Sequence, residues 1–236
     1  MKSNWKRIGV LAASMALVGV MAVSTVAGAQ GPGNGNAPGG QPPSGELSEA
    51  EIEGLLYMRE EEKLARDVYL TLYEAWELPI FQNIASSEQQ HMDAVLGLME
   101  RYGLEDPAEG QDTGEFANPT LQELYDQLVE TGGQSLEDAL RVGAAIEEID
   151  ILDLEEHIAQ TDKADIQRVY ENLLRGSRNH LRSFVGTLER ETGETYAPQY
   201  LSQEAYDAIV SSPMERGGGG GQGGGGRGGR GGGRGR

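Results

Sequence analysis

Residues 84–102 read IASSEQQHMDAVLGLMERY. Ile84, Val95, Leu98 and Tyr102 recur at helical spacing, and Gly103 follows them at a position that ends helices. Two polar residues, Glu88 and His91, interrupt that same apolar stripe. They stand three residues apart, so both project from one helix face and can reach a common ion. Isolated buried charges cost several kcal/mol each. Glu88-Gln89-Gln90-His91 on an inward stripe therefore calls for a helix packed on other helices and for a partner shared between the two side chains.

Three further stripes of the same period surround it. One begins after Ser48, with Glu51 completing a capping box, and runs through Leu55, Met58, Glu62, Ala65, Tyr69, Leu72 and Trp76 before Pro79 stops it. Another opens at Ser135 and shows Leu140, Ala144, Glu147, Ile151, Leu154 and Ile158. The last follows Asp162 and shows Ile166, Val169 or Tyr170, Leu173, Ser177, His180, Phe184 and Leu188. Short helices are expected near 120–130 and 202–210. Nowhere do β-branched and aromatic residues alternate with period two, so the fold class is all-α. The first two long helices, and the last two, are joined by a few residues and form antiparallel hairpins. About 30 residues separate the hairpins, the single long crossover of ferritin-like four-helix bundles. The hairpins also look duplicated: His91-x₄-Leu96-Gly97-x-Met99-Glu100-Arg101 aligns on His180-x₄-Val185-Gly186-x-Leu188-Glu189-Arg190 at an offset of 89.

Of the 236 residues, those at the ends are of another kind. Residues 1–29 place Lys2, Lys6 and Arg7 before an apolar run and end on Ala27-Gly28-Ala29, the order of a secretory signal peptide. Residues 30–45 form a Gly/Pro-rich linker and residues 213–236 a Gly/Arg-rich tail; neither can bury enough apolar surface to offset its ordering entropy. The expected domain, residues 46–212, carries 37 acidic against 11 basic side chains, while the chain as a whole is at −19. Such a body repels nucleic acid and attracts cations. With no Cys, disulfides, thiolate metal sites and Cys nucleophiles are excluded. No apolar run beyond the signal reaches the roughly 18 residues of a membrane span, so the expected product is exported, periplasmic or extracellular, without a span once the signal is cut. The tail is read either as a binder of anionic polymers or as a solubilising segment that folds back on the acidic body.

Glu62, Glu88, His91, Glu147 and His180 all occupy inward positions, and in a four-helix bundle their common partner is a pair of metal ions bound by one Glu from each of two helices and a Glu-x-x-His from each of the others. The chain resembles the ferritin-like di-iron carboxylate superfamily over residues 46–190, and most closely an uncharacterised bacterial and archaeal ferritin-like family. Glu62-x-x-Ala65-Arg66-x-x-Tyr69 is similar to the first helix of rubrerythrins, which implies Glu62 as a terminal ligand and Tyr69 as a donor behind the ligands. Glu147 with Asp150 is similar to the paired carboxylates rubrerythrins carry there. The resemblance implies iron or manganese as cofactor and O₂ or peroxide as oxidant. The fourth stripe departs from the pattern, because Ser177 stands where the second Glu-x-x-His requires Glu. Glu61, Glu148 or Asp150 can supply the missing carboxylate, or the site holds one ion, or it is degenerate. The competing reading is a salt-bridged core in which Arg66 and Arg178 neutralise the carboxylates and Glu60-Glu61-Glu62-Lys63 is a solvated run. His157, near a helix end, is given no ligand role.

Overall fold

The computed structural model describes residues 45–216; the expected signal peptide, most of the linker and residues 217–236 lie outside the described residues. Among the described residues there are six helices and no strand: α1 (Glu49–Trp76), α2 (Pro79–Tyr102), α3 (Pro119–Gly132), α4 (Leu136–Ala159), α5 (Ala164–Thr192) and α6 (Gln203–Val210). No helix among them is long and apolar enough to cross a membrane.

Local chemistry sets the helix ends. Ser48 and Glu51 make the reciprocal capping box expected at the start of α1. Asn118, Ser135 and Ser202 cap α3, α4 and α6 through their side-chain oxygens. Pro79 ends α1 and also opens α2, where its missing N–H costs nothing. The turn between them needs only Glu77 and Leu78, and Glu77 takes a left-handed φ of 51°. Gly103, at φ 71°, closes α2 as its position in the sequence suggests.

α1 pairs with α2 and α4 with α5 as antiparallel hairpins, and the four neighbours close a ring: α1 beside α2, α2 beside α5, α5 beside α4, α4 beside α1. The crossover holds α3 against α1 and α4. It also covers one face of α1. Arg59 donates to both carboxylate oxygens of Asp106 at 3.0 and 2.8 Å. Lys63 donates to Asp67 and to the carbonyls of Asp112 and Glu115. Glu60 accepts from the backbone N–H groups of Ala117 and Asn118. The run 60–63 is thus buried throughout, not solvated, because each charge faces a different neighbour.

The apolar interior divides in two. One cluster gathers Leu64, Tyr69, Leu72, Phe81, Leu140, Phe184 and others; the second gathers Leu55, Met58, Val95, Leu98, Leu154, Tyr170 and Leu173. Between them, along all four long helices, lies a layer of buried polar side chains. Residues 213–216, expected as the start of the tail, lie against α5: Glu215 accepts from Arg178 and Arg182 and meets Asn179 through its backbone.

Candidate metal centre

All four long helices contribute to the centre of the polar layer. Glu62 comes from α1, Glu88 and His91 from α2, Glu147 from α4 and His180 from α5. Two triads form, Glu62–Glu88–His91 and Glu88–Glu147–His180, each with ligand atoms close enough to share an ion, and Glu88 belongs to both. Its oxygens are divided between them. Oε2 lies 2.7 Å from His91 Nδ1 and Oε1 lies 2.8 Å from His180 Nδ1. Glu62 Oε2 completes the first triad at 3.1 Å from His91 Nδ1, and Glu147 Oε2 the second at 3.4 Å from His180 Nδ1. The imidazole rings stack at 5.6 Å between centroids.

Orientation behind these atoms is fixed by a surrounding set. The Tyr69 phenol donates to Glu147 Oε1 at 2.5 Å, which leaves Oε2 facing His180. Ser87 Oγ lies 3.0 Å from His180 Nε2, on the side of the ring away from the carboxylates. The Ser177 hydroxyl donates to Asp150 Oδ2. Gly176 makes room for His91: a Cβ there would sit 2.6 Å from His91 Cε1 and Nε2. A glycine inside a helix costs about 0.5–1 kcal/mol relative to alanine, so the space it opens has a use.

A family model described as an uncharacterized protein domain, DUF2202, matches residues 51–213. The chain belongs to the DUF2202 family. All five inward ligand candidates fall within the matched span. An archaeal relative, the uncharacterized protein MJ0754 of Methanocaldococcus jannaschii, is 58% identical over 175 residues, which is 74% of this chain and 94% of the relative. The crystal structure of the hypothetical protein MJ0754 superposes with a TM-score of 0.72 at 56% identity, over 75% of this chain and all of the other.

The donor set of the DUF2202 chain suits a metal. Ligand bonds of about 2.0–2.2 Å place neighbouring donors roughly 3 Å apart, the range of separations found here. Glu62 Oε1, Glu88 Oε1 and His180 Nδ1 are buried without a partner in hydrogen-bond geometry, although Glu88 Oε1 and His180 Nδ1 face each other at ion-pair distance. Three buried carboxylates and two imidazoles are donors that could hold a metal ion.

Electrostatics without an ion are polarised. Burial alone would raise the Glu88 carboxyl and lower both histidines, but mutual attraction outweighs it. Facing His180 and His91, Glu88 is held well below the usual carboxylate range. Against burial, Glu62 and Glu88 lift His91 well above its ordinary value, and Glu88 and Glu147 lift His180 to about 10. Burial raises Glu62 to about 7 despite His91. Burial and then the charge of Glu88 raise Glu147.

Other expected participants are placed elsewhere. Glu148 is fully buried on another face of α4, where its carboxylate accepts from the backbone N–H groups of Gln199, Tyr200 and Leu201 and ties down the chain before α6. It belongs to neither triad. Arg66 pairs with Asp67 and Gln89, and Arg178 with Glu215, so neither neutralises the centre. Glu61 and Asp150 lie beside the triads without joining them. His157 packs between Tyr57 and Tyr170, away from the ligands. Ser87 and Gly176 were not anticipated. Their only sequence signals are adjacency to Glu88 and a glycine inside a long helical stripe.

Proposed function

We propose that this DUF2202 protein is an exported ferritin-like metalloprotein whose centre holds two iron or manganese ions and reacts with O₂ or peroxide as an oxidoreductase. The observation that carries this reading is the divided carboxylate of Glu88, one oxygen toward each histidine of two different helices. In this reading Glu88 would serve both ions, Glu62 and His91 would hold one, and Glu147 and His180 would hold the other. Asp150, steadied by Ser177, stands closest to the role of the carboxylate that Ser177 replaces. Bound metals of this kind supply electrons to an oxidant at open coordination positions. The chain contributes the rest. Tyr69 and Ser87 fix the orientation of Glu147 and His180, and the two apolar clusters keep bulk water from the layer between them. Ferroxidase, peroxidase and oxidase activities are all compatible with these residues. The export signal of residues 1–29 belongs to the same proposal.

Anaerobic reconstitution with ferrous iron followed by elemental analysis tests it. Two ions per chain are expected, falling to less than one when Glu88→Ala and His91→Ala are combined. Less than one ion per wild-type chain overturns it.

A second reading has Ser177 in its favour: a bundle without catalysis, its site reduced to His–Glu ion pairs, docked to a polyanion by the tail. Deleting residues 217–236 should then abolish binding to DNA and acidic polysaccharide at low salt. Unchanged binding removes this reading's docking role.

A further inference from the structure

A second line of acid leaves the centre along α4. Glu147, Asp150 and Asp153 are spaced three residues apart and share a face, each about 4.5 Å further along the helix. Glu147 and Asp150 are buried and Asp153 is half-buried, so the line runs from the polar layer toward solvent. Across from it on α1 stand Glu61 and, one turn earlier, Tyr57. The Tyr57 phenol donates to Asp153 Oδ2 at 3.1 Å and lies 3.5 Å from Glu61 Oε1.

Outside the two triads, other buried carboxylates accept several donors each. Glu60 takes two backbone N–H donors, Asp67 takes Lys63, Arg66 and the N–H of Gly114, and Glu148 takes three N–H groups. Glu61 and Asp150 differ. Glu61 Oε2 and Asp150 Oδ1 are buried with no hydrogen-bond partner, and no cationic side chain is paired with either residue among the described residues. Unpaired buried carboxylate oxygens contribute nothing to folding and cost desolvation. Their placement between a half-exposed Asp and the triads fits a group that a cation passes.

We propose that Asp153, Glu61 and Asp150 form an uptake relay that carries a divalent cation from the α1–α4 face to the centre. Asp153 collects the ion at the surface, Glu61 takes it beneath Tyr57, and Asp150 delivers it to the Glu62–Glu88–His91 triad. The relay rests on the metal reading of the centre.

Stopped-flow loading of the full chain with Co²⁺, followed by its visible absorption, separates rate from capacity. Asp153→Asn keeps an acceptor for Tyr57 and Glu61→Gln keeps shape, so both should still take up two ions at equilibrium. Each should load at least about tenfold more slowly, within the range by which focused charge accelerates association. Glu156→Gln removes an exposed charge from the same helix and should load at the wild-type rate. Wild-type rates in Asp153→Asn and Glu61→Gln overturn the relay, as does an equal slowing in Glu156→Gln, which would mean general attraction by the acidic body. Failure of the wild type to bind Co²⁺ at all overturns the metal centre itself and the relay with it.

Discussion

Replacing Glu88 by Gln in the metal-free protein is expected to lower its melting temperature. Removal of the bridging carboxylate looks stabilising from the sequence alone, where five inward polar groups without an ion read as mutually repulsive. The geometry reverses that sign, because Glu88 is the one acid in the layer with a histidine at each oxygen. Deleting one partner of a buried pair costs about 3–5 kcal/mol, or roughly 10 °C for a domain of this size. Asp150→Asn should behave differently. Burial and then the charges of Glu62 and Glu147 raise Asp150 well above the usual carboxylate range, so a neutral amide relieves repulsion, and the apoprotein should melt at or above the wild-type temperature. Equal losses in both variants by calorimetry would contradict this distribution of charge. Gly176→Ala probes fit instead: its methyl would meet the His91 ring, and metal affinity should fall about 10- to 100-fold, as when other supports of a ligand are lost. The ligand candidates were legible because a helical period marks inward positions and charge at such a position is costly. Among the supporting residues Tyr69 was legible through the resemblance, but Ser87 and Gly176 were not, since a one-dimensional period selects Glu147 over Glu148 without showing what stands behind a ligand or that residues 199–201 return to partner Glu148.

Among the elements, the segment after α6 carries a pH-dependent contact. Arg178 and Arg182 hold the Glu215 carboxyl down to about 2 from an ordinary value of 4.5. A carboxyl depressed by folding contributes stability that is complete above its unfolded value and is lost as pH falls from there through its folded value. Wild type should therefore exceed Glu215→Gln in melting temperature at pH 7, and the two should converge as pH falls from about 4.5 toward 2. A gap that persists at pH 2 would assign the contact to packing. The hairpin turn offers a simpler test. Glu77 holds a left-handed φ of 51°, where a side chain costs about 1 kcal/mol or more. Glu77→Gly should raise the melting temperature by a few degrees, and a loss would mean that the Glu77 side chain contributes more than its strain. Helix existence and order were readable from stripes, caps and Gly103. The burial of Arg59, Glu60, Lys63 and Asp67 was not, because it depends on where a 16-residue crossover segment, 103–118, returns over α1.

For the molecule as a whole, metal binding and stability are one equilibrium. A ligand that binds only the native state stabilises it by about 2.7 kcal/mol at a free concentration 100 times its Kd. That amounts to some 5–10 °C per site in a domain of this length. The apo centre also starts from a disadvantage, because its carboxylates and imidazoles are held together by one another, with one oxygen of Glu62 left unpaired. Adding Mn²⁺ or, without oxygen, Fe²⁺ should therefore raise the melting temperature by more than 5 °C, and excess chelator should return it to the apo value. The double variant Glu88→Ala and His91→Ala should show no rise. Because the domain is strongly acidic, weak cation binding at the surface is expected in every variant, so the informative quantity is the difference between wild type and double variant at equal metal and at about 0.15 M salt, where exposed charges beyond roughly 8 Å are screened. A wild-type melting temperature indifferent to metal and chelator under those conditions would make the polar layer a set of ion pairs that the fold keeps for itself, and the unpaired oxygens of Glu61 and Asp150 would then lack the ligand their placement implies.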